Sequence, residues 1–276
     1  MPDSRLDAAL GERGLARSRT HAAKLIADGL VTVDGVAQVK PSFRVRESAR
    51  IVVAEADHYV SRAAHKLIAA LDAFAIDPRG RVALDAGAST GGFSQVLLER
   101  GAARILAIDV GHGQLARTIQ ENDSVVAVEG FNIRDLTREW VGAQLQTPEF
   151  RKPELAEAVS ALPTLVVADL SFISLGLVLR PLRDSVDPAA DFVVLVKPQF
   201  EVGRGGIREG IVRDSGARQD AVTNVLWAAW DLAMPTAGII PSPIVGSSGN
   251  REYLVWLSSA SGSNPTEWID TVAALA

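Results

Sequence analysis

The segment 82–110, VALDAGASTGGFSQVLLERGAARILAIDV, constrains the fold more than any other part of the chain. An apolar run is followed by a glycine-rich turn, a helical pattern and a second apolar run that ends in a carboxylate. Two apolar strands joined through a helix predict neighbouring parallel strands with both faces covered. Such sheets bind ligands at the carboxyl ends of their strands, so the glycine turn is expected to face a ligand.

The same pattern recurs along the rest of the chain. The continuous apolar runs that we interpret as strands are RVALDAG, RILAIDV, SVVAVEG, TLVVADL and DFVVLVK. They predict an α/β domain over residues 61–276, with a mostly parallel sheet and helices on both faces. Near the end of the chain, SPIVGSSGN and REYLVWLSS are interpreted as an added edge hairpin.

A separate small α+β domain with its linker is predicted over residues 1–60. Ser18 is placed to cap a helix, and Asp34-Gly35 lies between two alternating apolar runs, which is a strong hairpin signal. Residues 1–66 hold a small excess of Lys and Arg, whereas the whole chain has a net charge of −5. This asymmetry favours a polyanionic partner for the small domain. The basic side chains at its non-core positions are Arg5, Arg17, Arg19, Lys24 and Lys40.

Composition excludes several classes of site. The chain has no cysteine, so it can form no disulfide, thiolate metal site or cysteine nucleophile. The four histidines are scattered, and we expect no metal. No apolar run approaches the ~20 residues that a membrane span needs. We therefore expect a soluble cytoplasmic protein with no membrane partner, and a monomer.

The glycine turn favours S-adenosylmethionine over a dinucleotide. Ser89 stands where a dinucleotide fingerprint has its second glycine, and Asp85 precedes the turn, where it would repel a pyrophosphate but attract an ammonium group. Asp109 ends the next strand and is placed to accept hydrogen bonds from ribose hydroxyls. This combination is typical of Rossmann-like class I methyltransferases. The predicted cofactor-binding residues are Asp85, Gly87, Ala88, Ser89, Thr90, Gly91, Gly92, Asp109, Asn132, Ile133, Asp135 and Asp169.

The sequence also narrows the choice of atom that accepts the methyl group. Methylation at C5 of a pyrimidine needs a cysteine, which is absent, and the Pro-Pro loop common in amino-group methylation of bases is replaced by Ala168-Asp169-Leu170-Ser171-Phe172. A hydroxyl acceptor remains, and it needs a base. Lys197 and Asp169 end neighbouring predicted strands, and Glu252 starts another. The helical pattern by itself predicts that Lys66 is exposed.

Two resemblances extend this interpretation. Residues 4–50 resemble the RNA-binding domain of the ribosomal-protein S-four superfamily, through R-x-x-A-x-x-L-I-x-x-G-x-V-x-V-D-G. The motifs SRAAHKL, LDAGASTGGF, ADLSFISL, LVKPQFEVG and SGNREYLVWL resemble the TlyA (haemolysin-like) family, which joins an S-four domain to an FtsJ-like methyltransferase domain. That resemblance implies a catalytic tetrad, with Lys197 as base, Asp169 and Glu252 as orienting groups, and Lys66 as a second cation. The S-four resemblance implies that Arg17, Arg19 and Lys24 face the RNA backbone, and we predict that Arg5 and Arg62 also bind RNA.

The resemblance further implies that the substrate is ribosomal RNA, free or in ribosomal subunits, and that the target is a cytidine ribose 2′-hydroxyl. Two alternatives stay open at this point. One is a membrane-active cytolysin, as the older family name suggests, although no strongly amphipathic basic helix is apparent. The other is an RNA-binding protein with an inactive methyltransferase domain, which the four intact tetrad positions oppose. The loop EVGRGGIREGIVRD is expected to order over bound RNA.

Overall fold

The computed structural model describes residues 4–53, 58–147, 162–203, 210–246 and 249–276. The amino-terminal unit packs two helices against short antiparallel strands, around a core that includes Leu6, Leu10 and Ile26. Strand β1 pairs with β4, and β2 lies between β3 and β5. The elements are β1 Ser4–Arg5, α1 Leu6–Glu12, α2 Arg19–Ala27, β2 Val31–Val33, β3 Val36–Gln38, β4 Arg44–Val45 and β5 Ile51–Val53.

Local sequence explains this unit. Ser18 accepts a hydrogen bond from the backbone N–H of His21 at 3.0 Å, as expected of a helix cap. Asp34 and Gly35 both have positive φ angles, of 50° and 82°, which is the geometry of a tight two-residue hairpin. The predicted helix, helix and hairpin are confirmed.

The carboxy-terminal unit is built on one seven-stranded sheet with the order β11-β12-β10-β9-β6-β7-β8. All five strands predicted from apolar runs are present, and they pair in parallel. The strands are β6 Val82–Ala86, β7 Arg104–Asp109, β8 Val125–Glu129, β9 Leu165–Ala168, β10 Asp191–Val196, β11 Thr236–Pro241 and β12 Tyr253–Leu257. The helices are α3 Ala63–Phe74, α4 Gly92–Glu99, α5 Arg117–Gln120, α6 Arg138–Leu145, α7 Leu179–Ser185, α8 Pro198–Glu201, α9 Ser215–Trp230 and α10 Ile269–Leu275. The predicted α/β methyltransferase architecture is confirmed.

The sheet reverses its direction of growth at β6. The chain adds β7 and β8 on one side of β6, and then returns to add β9 and β10 on the other side. A crevice forms at such a switch point, because the connections leave the two central strands in opposite directions. The glycine turn after β6 and Asp169 after β9 meet in this crevice.

The predicted edge hairpin is wrong in its first strand. The strand that pairs with β12 is β11, which precedes SPIVGSSGN, and that segment lies in the connection between the two strands. In addition, β12 lies inside the sheet, antiparallel to β10, so that only one strand of the hairpin, β11, is at an edge. The run TAGIIP contains a glycine and ends in a proline, both of which are depleted in strands, and this obscured it as a strand signal.

Candidate functional site

Four side chains from distant parts of the sequence converge at the carboxyl edge of the sheet. Asp169 directly follows β9, and Lys197 directly follows β10. Glu252 precedes β12, and because β12 runs antiparallel to β10, its first residue is paired with the last residue of β10. Lys66 comes from α3, which packs against β12. We call these four residues the tetrad.

The tetrad forms a continuous chain of contacts. Lys197 Nζ lies 2.6 Å from Asp169 Oδ1 and donates a hydrogen bond to Ser171 Oγ at 2.8 Å. Lys66 Nζ lies 3.7 Å from Asp169 Oδ2 and donates to Glu252 Oε2 at 2.7 Å. Asp169 therefore lies between the two ammonium groups, and Glu252 fixes Lys66 from the other side.

Burial of the tetrad explains why its charges pair so closely. Lys66, Lys197 and Glu252 are 6%, 7% and 4% exposed. Burial raises the pKa of Asp169, but the positive charges of Lys66 and Lys197 outweigh that effect, so its pKa lies below the ordinary value of 3.8. Asp169 is thus a stable carboxylate at neutral pH.

The helical pattern gave the wrong environment for Lys66. It is buried rather than exposed, like the apolar residues Ala64, Leu67, Ala70 and Leu71 of the same helix. The physical reason is that Glu252 and Asp169 lie where α3 meets the sheet, and they compensate the buried ammonium group. A pattern that counts only apolar residues cannot anticipate such a pair.

Two cavities meet at the turn after β6. The tetrad cavity, of about 200 Å³, is lined by the tetrad, by residues of the glycine turn and by Arg62. The Asp109 cavity, of about 540 Å³, extends from Asp109 to Asn132 and Ile133. Gly87, Ser89, Asp169 and Ser171 line both.

The glycine turn allows the backbone of two strand ends to approach closely. Gly87 has φ +84°, and a β-carbon there would fall 2.9 Å from the carbonyl oxygen of Asp169. Any other residue would therefore push the strand ends apart and obstruct the passage between the cavities. Ser89 also has a positive φ, of 48°, and its backbone N–H donates to Asp109 Oδ2 at 2.7 Å.

Asp109 is held in place by backbone donors. Besides Ser89, the N–H of Gly111 donates to its Oδ1 at 2.7 Å. Each carboxylate oxygen keeps further acceptor capacity, since a carboxylate can accept about four hydrogen bonds. The walls of the cavity beyond Asp109 are apolar, formed by Ile108, Phe131, Ile133, Leu170, Ile173 and Val178.

The other predicted cofactor-binding residues fall into two groups. Ala88, Thr90 and Gly92 line the tetrad cavity, and Gly91 turns the chain into α4 with φ +96°. Asp135 is exposed and lines neither cavity, and Asp85 is fully buried beneath the turn.

Asp85 has an unusual environment for a carboxylate. Its Oδ2 accepts a hydrogen bond from Ser94 Oγ at 2.7 Å, while its buried Oδ1 has no hydrogen-bond partner among the described residues. Burial raises the pKa of Asp85 to about 7, against the Ser94 hydrogen bond, which lowers it. A hydrogen-bond donor or a cation brought to the turn would therefore stabilise the ionised form of Asp85.

The donor set fits S-adenosylmethionine. The carboxylate of Asp109 suits a vicinal diol, and the apolar wall suits a purine. Because Gly87 has no side chain, a passage stays open from this cavity toward Lys197. The orphaned Oδ1 of Asp85 suits an ammonium group, directly or through water.

The basic residues of the amino-terminal unit lie on its surface. Arg17, Arg19 and Lys24 are exposed, and Arg5 is half-buried. Asp7 binds Arg5 at 2.9 Å and Arg19 at 3.1 Å. The hydrogen bond from Arg5, with that from Arg19, lowers the pKa of Asp7 to about 2.

Sequence reasoning missed several residues at the site. Ser171 binds Lys197, and Gln114 and Phe172 line the Asp109 cavity. Phe172 is 92% exposed, has φ +65° and lies 5.3 Å from the ring of Phe200. The sequence signal for Ser171 and Phe172 was their position shortly after β9, and Gln114, in the connection after β7, had none. In the loop 201–214, residues 204–209 lie outside the described part of the chain, so the predicted ordering over RNA has no structural account here.

In the described ranges, no helix is both long and apolar enough to cross a membrane. Within the same ranges, no three His, Asp or Glu side chains are grouped in a way that could hold a metal ion.

Comparison with known proteins identifies the family. An FtsJ-like methyltransferase model matches residues 59–259, and an S4 domain model matches residues 4–51. The chain is 47% identical to the 16S/23S rRNA (cytidine-2′-O)-methyltransferase TlyA of Mycobacterium tuberculosis over 257 residues, covering 92% of this chain and 89% of that protein. It is 34% identical to hemolysin A of Brachyspira hyodysenteriae, over 91% of this chain and 98% of that protein.

A solved structure agrees over the whole chain. A protein from Streptococcus thermophilus, named as a hemolysin, superposes with a TM-score of 0.72 at 33% identity, covering 99% of this chain and 95% of that one. The chain therefore belongs to the TlyA family, whose members join an S4 domain to an FtsJ-like methyltransferase domain.

Proposed function

We propose that this protein transfers a methyl group from S-adenosylmethionine to the 2′-hydroxyl of a cytidine ribose in ribosomal RNA. The observation that carries the proposal is the tetrad: Lys197 lines the smaller, cationic cavity and contacts Asp169 and Ser171, which line both that cavity and the cofactor-sized one. We divide the chain functionally into an RNA-binding domain at 1–60 and a methyltransferase domain at 61–276. We propose further that the enzyme acts in the cytoplasm, where its ribosomal RNA substrate lies, and that it is a monomer.

Lys197 is the proton acceptor in this proposal. In its neutral form its amine removes the proton of the ribose hydroxyl, which is too weak a nucleophile while protonated. Asp169 and Ser171 hold Nζ at 2.6 and 2.8 Å, which leaves the third position of the amine for the hydroxyl. Lys66 and Glu252 fix the second oxygen of Asp169, so the position of Lys197 is set by the whole tetrad.

The Asp109 cavity is the proposed cofactor site. Asp109 accepts from the ribose hydroxyls of S-adenosylmethionine, and Asn132 and Ile133 border the adenine. Asp85 attracts its ammonium group from beneath the turn. The cofactor supplies an electrophilic methyl group on a sulfonium, and the protein contributes mainly alignment.

The amino-terminal domain is the proposed RNA-binding module. Arg5, Arg17, Arg19 and Lys24 are side chains that can contact phosphates, and a set of surface cations suits recognition of the backbone and shape of structured RNA. The 47% sequence identity with a relative that is named as a 16S/23S rRNA methyltransferase supports ribosomal subunits as substrates.

Transfer of tritium from labelled S-adenosylmethionine to purified ribosomal subunits tests the proposal. Methylation at the 2′-oxygen leaves an alkali-resistant dinucleotide, which locates the label. We expect Lys197→Ala to reduce transfer by at least about 100-fold, the lower end of the range that a positioned base contributes, while cofactor affinity changes only a few-fold. Label on the base, or full activity in Lys197→Ala, would contradict the proposal.

A further inference from the structure

Arg62 occupies a special position between the two units of the chain. It directly precedes α3 and lines the tetrad cavity. On its other side it packs against Gly29, just after α2, where an added β-carbon would fall 3.1 Å from Arg62 Nη1. Its guanidinium therefore touches the RNA-binding domain and faces the tetrad.

The Arg62 guanidinium is incompletely satisfied. Its Nη1 is inaccessible to solvent, and no hydrogen-bond partner for it exists among the described residues. Burial lowers the pKa of Arg62, while the negative charges of Glu252, Asp28 and Asp169 oppose that effect. An unpaired buried donor on a charged group is costly, and reorienting the guanidinium onto an anion breaks no hydrogen bond at Nη1.

The charges around the tetrad cavity point to the same kind of partner. Lys66 and Lys197 are each paired with a carboxylate, at 2.7 Å and 2.6 Å. The cavity is thus lined by three cations and two carboxylates, so its lining carries one excess positive charge, while Asp28 acts on Arg62 from outside the cavity. This arrangement suits one additional monoanion.

The chemistry of a ribose provides that anion. In RNA, the 2′-hydroxyl is on the carbon next to the one that bears the 3′-phosphodiester. A hydroxyl presented to Lys197 consequently brings its own phosphate into or beside the tetrad cavity. Arginine is well suited to bind it, because its planar fork can donate two parallel hydrogen bonds to phosphate oxygens.

We propose that Arg62 binds the phosphodiester on the 3′ side of the target ribose and so aligns the 2′-hydroxyl with Lys197. This inference rests on the proposed function and adds a positioning residue to it. Since Arg62 also packs against Gly29, the phosphate contact and the docked RNA-binding domain lie side by side. Binding by the small domain then places the target strand where Arg62 can capture it.

The test compares Arg62→Gln and Arg62→Lys with a matched control, Arg79→Gln. Arg79 is exposed and precedes β6, at the opposite edge of the sheet from the tetrad. Tritium transfer to purified ribosomal subunits is measured in single turnover, with enzyme saturating over subunits and labelled S-adenosylmethionine. Cofactor affinity and thermal midpoint are measured on the same preparations.

We expect Arg62→Gln to reduce the rate at saturation by about 10–100-fold, because misalignment costs rate even when RNA is bound. Arg62→Lys keeps the charge but not the fork, and should lose less. Arg62→Gln should also lower the slope of log affinity against log salt by about 1, and cofactor affinity should not change. Arg79→Gln should match the unmodified protein.

Two failures can be told apart. If the unmodified protein methylates neither subunit, the proposed function fails. If it is active and both Arg62 variants keep its rate at saturation, the Arg62 proposal is overturned while the proposed function stands. A purely structural role for Arg62 is also recognisable, because it would lower the thermal midpoint or raise the enzyme concentration required for saturation, without changing the rate at saturation.

Discussion

The buried carboxyl of Asp85 makes the stability of the methyltransferase domain depend on pH in a defined direction. Asp85 is 0% exposed, and burial raises its pKa from 3.8 to about 7. In the unfolded chain the carboxyl loses its proton near pH 3.8, whereas in the folded protein it keeps the proton up to about pH 7. Stability contributed by the neutral form is therefore complete below pH 3.8 and is lost as pH rises toward 7.

The magnitude follows from the two pKa values. Each unit of difference corresponds to about 1.4 kcal/mol, so ionisation of Asp85 in the folded state costs about 4 kcal/mol in total. Asp85→Asn removes the titration and keeps an oxygen that can accept from Ser94. Between pH 5 and pH 7, the free energy of unfolding of the unmodified protein should fall by about 1.4 kcal/mol per pH unit relative to this variant.

Urea denaturation followed by tryptophan fluorescence measures this difference. All five tryptophans, at 140, 227, 230, 256 and 268, lie in the methyltransferase domain, so the signal reports that domain alone. Asp184→Asn is the control, because Asp184 is exposed. This substitution removes one carboxylate without changing the buried site. A difference between the unmodified protein and Asp85→Asn that is flat from pH 5 to pH 8 would refute the reasoning, since Asp85 would then titrate as it does in the unfolded chain.

Three further predictions concern the proposed ligands. Asp109→Ala should weaken S-adenosylmethionine binding by at least 10-fold in calorimetry, because it removes charge-assisted hydrogen bonds to the cofactor, while affinity for ribosomal subunits stays within a few-fold; unchanged cofactor affinity would exclude Asp109 as a ligand. Arg17→Gln and Lys24→Gln should each lower the slope of log subunit affinity against log salt by about 1 and leave cofactor affinity unchanged. A slope equal to that of Arg79→Gln would show that the two side chains do not contact RNA phosphates. Purified protein should release no dye from anionic lipid vesicles at micromolar concentration, whereas release that scales with protein would favour the cytolytic alternative.

The sequence by itself determined the five parallel strands of the sheet and the position of the glycine turn after β6. Each central strand is a short apolar run bounded by turn residues, and that signal is local, so it survives without knowledge of neighbours. The absence of cysteine is likewise a property of the composition alone, and it removed cysteine-dependent chemistry at once. Asp169 and Lys197 could be selected because each directly follows such a run.

The tertiary structure decided what depends on partners distant in sequence. Lys66 is buried because Glu252, 186 residues away along the chain, lies 2.7 Å from its ammonium group, and no helical periodicity contains that fact. The pairing of β11 with β12 was missed for a similar reason, since a glycine-containing run becomes a strand only beside its neighbour. The contact of Arg62 with Gly29 on one side and the tetrad cavity on the other is also purely tertiary, because the charge balance of a site depends on distances between side chains.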